Sequence, residues 1–213
     1  MDDILLDAAK REMDERAAKN RKGASREHVA PMRTDASAYV GPARIRSINT
    51  SPHKGTRKVP VPAGQDRVIE QFGLESDAHA GHWHRQVSFL AVESTRAARE
   101  RGLDVSEGDF GENITTEGIN LLDLPLGTQL RLGPEVLVEI SQIGKVCHTR
   151  CAIYYLAGDC IFPHEGIFGV VLHGGQIHVG DVIEVVRRGD GTCPFAPTEA
   201  LEEVEQARRE GTL

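Results

Sequence analysis

Between Val136 and Ser141 the chain alternates: Val136, Val138 and Ile140 face one way, Leu137, Glu139 and Ser141 the other. A period of two predicts a strand with one face in a core. Similar short segments predict strands over Ala43–Asn49, Arg67–Phe72 and Gln86–Val92. Proline inside the apolar run Val59-Pro-Val-Pro62 suits an edge strand or a loop. One pattern occurs twice: Leu124-Pro-Leu126-Gly127-Thr128-Gln-Leu130-Arg-Leu132 and Ile177-His-Val179-Gly180-Asp181-Val-Ile183-Glu-Val185. Each reads as a tight glycine turn entering a period-two strand. Many short strands at short spacing predict a mainly β chain, closed or half-closed as a barrel.

A few helices complete the picture. Glu93–Arg101 has helical composition, with Gly102 as its stop. Residues 2–22 carry only a thin apolar stripe, Leu5, Ala9, Met13 and Ala17, and predict a helical N-terminal arm. Gly23, Pro31, Gly41 and Pro42 mark residues 23–42 as a linker. Near the C-terminus Thr198 is expected to cap a short helix with Leu201 and Val204 on one side. Glu199, Glu202 and Glu203 near its start and Arg208 and Arg209 near its end complement the helix dipole. The expected division is 1–42 arm and linker, 43–188 β-barrel domain, and 189–213 turn and short helix.

Composition narrows the function. A chain of 213 residues that is 39% apolar and 27% charged has the material for one large β domain. Its net charge of −7 argues against a general nucleic-acid binder, which needs clustered Lys and Arg. No apolar run approaches a membrane span, and Met-Asp-Asp lacks the basic and apolar regions of a secretory signal. These features favour the cytoplasm. In that reducing compartment the four cysteines read as a metal set or reactive thiols rather than disulfides.

The chemistry concentrates between Ile140 and Glu184, where Cys147, Cys151, Cys160, His148, His164 and His173 lie among bursts of glycine. A cysteine acts as a thiolate, either as nucleophile or as soft metal ligand. Lys145 and His148 beside Cys147 would favour the charged form. Cys147 and Cys151 would share a face if the segment turned helical. Cys160 and His164 have the same spacing, but Pro163 argues against a helix there. With His148 the set would close a tetrahedral zinc site or seed an iron–sulfur cluster. It would equally serve as a resolving thiol beside a persulfide, or be free cysteines with no partner. Upstream, His79, His82 and His84 surround Trp83 and precede Arg85. They read as a metal site, an anion-binding wall, or an exposed loop, with His82 and His84 on one face of any strand. Glu112 and Asn113 close a glycine turn or line a cofactor mouth near Cys147. Lys54, Arg57 and Lys58 form a basic cluster after a turn, which would meet a phosphate or be a solvated charge run.

Four segments in order carry a family resemblance: Gly73-Leu-Glu-Ser-Asp77-Ala-His79-Ala-Gly81, Gly108-Asp-Phe-Gly-Glu112-Asn113-Ile, Ile143-Gly-Lys-Val-Cys147 and Gly180-Asp181-Val-Ile183. The chain resembles the MOSC domain, named for the C-terminal domain of molybdenum-cofactor sulfurases, over roughly residues 42 to 187. The resemblance implies a MOSC-type β-barrel, of the stand-alone bacterial kind. It implies that Cys147 either carries sulfur as a persulfide or ligates molybdenum in a bound pterin cofactor. Asp77 and His79 match the first landmark; with Glu112, Asn113, Lys145 and His148 they are the expected cofactor-binding residues. The implied partners are a sulfur donor such as a cysteine desulfurase, or molybdenum-cofactor proteins. The implied activity is sulfurtransferase-like, or that of a small molybdenum-dependent reductase acting on N-hydroxylated compounds. The competing expectation is a non-catalytic metal-binding or assembly module using Cys147, Cys151, Cys160 and His164.

Overall fold

The alternating segment forms a strand, and strands on both sides of it build one twisted sheet. The structure is a computed structural model that describes Glu15, residues 39–148, Tyr154 and residues 160–213. The predicted N-terminal arm, apart from Glu15, and Cys151 therefore lie outside the described residues. The strands are β1 (Arg44–Thr50), β2 (Val59–Pro60), β3 (Gln65–Ile69), β4 (Gly73–Leu74), β5 (Val87–Ala91), β6 (Ile114–Glu117), β7 (Gln129–Leu132), β8 (Val136–Ile143), β9 (Ile167–His173), β10 (Gly175–His178) and β11 (Ile183–Arg187). The helices are α1 (Val92–Glu100), α2 (Phe162–Glu165) and α3 (Thr198–Arg209), with a 3-10 turn at Leu121–Asp123.

An eight-stranded sheet runs β11-β7-β8-β9-β5-β6-β1-β2, and β10-β3-β4 form a second, small sheet. Among the described residues only the β5–β6 pair is parallel, and α1 is the crossover that such a pair requires. The large sheet curls until its ends meet. Arg44 and Val182 bridge, Ile45 N–H donates to Asp181 C=O at 2.8 Å, and Gly180 N–H donates to Ile45 C=O at 2.8 Å. The fold is thus mainly β, a half-closed barrel whose seam is a short junction rather than a full ladder. The two halves of the sequence echo, β7 and β11, are antiparallel neighbours, with Leu132 opposite Ile183 and Leu130 opposite Val185.

The barrel interior holds Ile45, Ile48, Phe89, Ile114, Leu130, Val138, Ile140 and Val171, all buried. Side chains of this size stabilise by about 1.5–3 kcal/mol each on full burial. A second cluster, Leu90, Ala98, Phe110, Phe162 and Phe168, packs α1 and α2 onto the outside of the sheet.

Several expectations shift. The strand expected over Arg67–Phe72 ends at Ile69, because Gln71 takes a positive φ of 53° and turns the chain into β4. Glu139 and Ser141, on the other side of β8 from its apolar stripe, are buried as well: later chain covers Glu139 and the His84 loop covers Ser141. Arg187 Nη2 lies 3.0 Å from Glu139 Oε2, and Cys193 Sγ lies 3.5 Å from Glu139 Oε1. Pro163 does not prevent a helix: it sits in the first turn of α2, where a missing N–H costs nothing. Thr198 does not cap α3; Pro197 holds the cap position and no side chain bonds the first turn. Residues 82–85 form no strand, so His82 and His84 share no sheet face.

Candidate functional site

Beyond β8 the chain must turn sharply, and Gly144 makes the turn with φ +75°. A Cβ there would lie 2.7 Å from Pro163 C=O, so the backbone of α2 approaches too closely for any other residue. Gly144 N–H donates to Gly166 C=O at 2.7 Å and Lys145 N–H to Pro163 C=O at 2.8 Å. This stitching fixes Gly144 and Lys145, three and two positions before the exposed Cys147. Lys145 holds its ammonium 5.5 Å from the centre of the Phe162 ring. From the other side comes α3: Arg208 Nη2 donates to Ile143 C=O at 2.8 Å, and Glu203 Oε1 lies 3.0 Å from His148 Nε2. His148 therefore faces a carboxylate of the C-terminal helix.

The loop before β5 closes on the same strand end. Ser141 Oγ donates to His84 C=O, and His84 Nε2 donates to Gln142 Oε1 at 2.8 Å. Gln142 Nε2 donates in turn to Gly144 C=O at 2.7 Å, so one amide ties the histidine loop to the glycine turn. Burial pulls the His84 imidazole below its ordinary range, with Gln142 opposing and Arg85 assisting. Arg85 stands beside the site with its guanidinium carbon 4.8 Å from the Trp83 ring centre and 5.5 Å from that of Phe168. Burial pulls Arg85 down from its ordinary range, and the charges of Cys147 and Glu203 act against that. Arg85 is therefore in electrostatic reach of Cys147, a pairing across 62 positions of sequence that the reading by spacing did not make.

Asp77, His79, Glu112 and Asn113 form a neighbouring buried cluster centred on Lys58, which is not a solvated charge but only 2% exposed. Lys58 Nζ bonds Asp77 Oδ2 at 2.7 Å, while Asp77 Oδ1 accepts from Ser51 N–H at 3.0 Å. Burial alone would push the Asp77 carboxyl up. His79, whose backbone N–H donates to Asp77 Oδ2 at 3.2 Å and whose ring stands close by, and Lys58, by hydrogen bond and charge, outweigh it and hold the group well below the usual carboxylate range. For Lys58 burial wins instead and lowers its pKa, against the attraction of Asp77 and Glu112. Lys145 adds to that lowering, which sets the cluster within electrostatic range of the Cys147 segment. His79 Nδ1 lies 3.7 Å from Asp77 Oδ2, beyond hydrogen-bond distance, and is buried.

Glu112 and Asn113 are committed to the protein. Glu112 Oε1 accepts from Gly108 N–H at 2.6 Å and Thr115 Oγ1 at 3.0 Å. Asn113 Oδ1 accepts from Ser88 N–H at 3.1 Å and Oγ at 2.9 Å, and its Nδ2 donates to Asn49 C=O. Gly108 has φ +87°, and a Cβ there would meet Lys58 C=O at 2.5 Å. Gly108→Ala is therefore expected to cost about 2 kcal/mol, through left-handed strain and this collision. Urea titration of the purified variant checks it; an unchanged midpoint would show that the loop has room to move.

The structure thus gathers Cys147 with Lys145, His148 and Arg85, and sets Asp77, His79, Glu112 and Asn113 in a second cluster. Cys160 is half-buried and His164 lies on α2. Among the described residues no group of three His, Cys, Asp or Glu side chains is placed to hold a metal. The four-ligand set also needs Cys151, which lies outside them.

Residues 76–184 match the MOSC domain, and the chain belongs to that family. Solved structures repeat the fold. YiiM from Geobacillus stearothermophilus is 23% identical with a TM-score of 0.60, over 78% of this chain and 98% of that one. YiiM from Escherichia coli is 20% identical with a TM-score of 0.54, over 80% and 92%. The YuaD protein of Bacillus subtilis is 16% identical with a TM-score of 0.57, over 67% and 94%. No curated protein matches the chain in sequence.

Proposed function

We propose that this MOSC protein handles sulfur through Cys147, accepting it from a donor as a persulfide and passing it to an acceptor centre. The observation that carries this reading is the exposed Cys147, presented on a rigid turn with cationic Arg85 in electrostatic reach. A carrier thiol must meet a donor and an acceptor in turn, so exposure suits it, and a cation in reach draws anionic partners to it. No described helix is long and apolar enough to cross a membrane, which suits exchange with soluble partners such as a cysteine desulfurase.

The molybdenum reading uses the same atom. Cys147 offers the soft thiolate that the metal takes, and its exposure fits a cofactor entering from solvent. The cofactor, when bound, would supply two-electron redox chemistry. In either version Cys147→Ser is expected to remove cyanide-labile sulfur or molybdenum from the purified protein, with no change in Tm. Serine keeps the size of the side chain but forms no persulfide and is a poor soft ligand. An assembly module behaves differently: losing one ligand lowers stability as well. Full retention of sulfur or metal by the serine variant would sink both readings.

A further inference from the structure

Arg85 and Lys145 are set apart from the other partly buried cations. Lys58 is bonded to Asp77, and Arg57 lies 3.5 Å from Asp109. Among the described residues neither Arg85 nor Lys145 has a carboxylate within salt-bridge distance. Both are instead held by aromatic rings, Arg85 by Trp83 and Phe168 and Lys145 by Phe162. The Arg85 Nε is buried with no acceptor. A planar guanidinium whose carbon is held by rings keeps its N–H donors for an acceptor in its own plane, the geometry that suits an oxyanion. Glu203, the carboxylate in electrostatic reach of Arg85, is engaged by His148 at 3.0 Å. The rings beneath the two cations, Phe162 and Phe168, stand 5.4 Å apart edge to face, so the cations share one aromatic pair, and Lys145 is two residues from the nucleophile Cys147.

We propose that Arg85 and Lys145 form an anion-binding subsite beside Cys147, and that the sulfur donor it takes is a small sulfane anion of the thiosulfate class. This rests on the sulfur-carrying reading above and adds the chemistry of the donor. The Cys147 thiolate attacks the outer sulfur of thiosulfate. A bond forms between Cys147 Sγ and that sulfur, the bond to the sulfonate sulfur breaks, and its electron pair leaves with sulfite. One thiolate and one thiosulfate dianion give one perthiolate and one sulfite dianion, so charge balances and no further oxidant or reductant is needed. Arg85 and Lys145 bind the sulfonate oxygens before the step and hold the departing charge after it.

Trypsin releases Val146–Arg150, a peptide in which Cys147 is the sole cysteine, so the site is read separately from the other thiols. The first measurement compares alkylation of Cys147 in the full chain by iodoacetate and by uncharged iodoacetamide. Arg85→Gln is expected to lower the iodoacetate-to-iodoacetamide rate ratio about tenfold, and Arg85→Lys to restore most of it. An unchanged Tm shows that the variant keeps its fold, and the ratio cancels any change in the thiolate itself, which acts on both reagents alike. The second measurement incubates reduced protein with thiosulfate labelled in its outer sulfur. The wild type is expected to gain one labelled sulfur on the peptide and release sulfite in equal amount, and Arg85→Gln to lose this. A wild type carrying cyanide-labile sulfur as isolated, yet not loaded by thiosulfate, overturns the donor class and leaves the carrier reading standing. An Arg85→Gln protein with wild-type ratio and loading overturns the anion subsite and leaves the carrier reading standing. Protein that neither carries sulfur as isolated nor takes it from thiosulfate overturns both.

Discussion

Lys58→Met is expected to destabilise the protein by about 3–5 kcal/mol, the cost of leaving one partner of a buried ion pair uncompensated. Both side chains of the pair are almost wholly inaccessible, at 2% and 1%. Methionine fills the space of the lysine stem but leaves the Asp77 carboxylate without its cation. Asp77 also receives Ser51 N–H and His79 N–H, so the loss spreads to the loops that flank the site. Adding Asp77→Asn removes the stranded charge while keeping an oxygen for those donors, and is expected to recover much of the stability. Guanidinium unfolding of the two variants measures this. A loss below about 1 kcal/mol for Lys58→Met would mean that water reaches the pair and that it behaves as a surface bridge.

Glu112 governs the second large effect. Its side chain is fully buried, burial pushes its pKa up to about 7, Asp109 adds to the rise, and hydrogen bonds from Gly108 and Thr115 oppose it. Oε2 has no partner. The folded state therefore holds its proton more tightly than the unfolded chain, whose carboxyl titrates at an ordinary 4.5. Stability from this group is fully present below the unfolded value and is lost as pH rises through about 7. The total is on the order of 3 kcal/mol, from the separation of the two values. His84, lowered by burial, opposes this slope over part of the range, and Asp77 acts only in acid. Glu112→Gln isolates the term, since glutamine keeps the acceptor for Gly108 N–H and stays neutral. The variant is expected to exceed the wild type in stability above about pH 8, by up to roughly 3 kcal/mol, and to lose the advantage near about pH 5. Parallel pH profiles for the two proteins would show that Glu112 keeps its charge at no cost.

The parts of this molecule that sequence revealed are those with a local cause. Alternation located β8, glycine turns located the starts of β7 and β11, and the repeated pattern fell on two strands that pair with each other. The Cys147 turn was visible because Gly144 stands three residues before it. What stayed hidden depends on distant chain. Lys58 sits in a run of basic residues that reads as solvated, and nothing in the run announces Asp77, 19 positions away. Gln142 reads as an unremarkable strand residue, yet its amide joins His84 to Gly144. The polar side of β8 is buried because Arg187 and Cys193 return over it, which no period within β8 encodes. Pro163 misled because its penalty applies to a helix interior, and α2 has only a first turn.

The seam joins Ile45, near the start of the described barrel, to Gly180 and Asp181, more than a hundred positions later. During synthesis the edge of β1 must wait for that late chain, long after the strands between have left the ribosome. A contact closed so late is slow to find, and until it forms the nascent protein presents an unpaired edge. Chaperone binding and edge-to-edge aggregation would both act in that interval, and a premature stop before Gly180 would make the interval permanent.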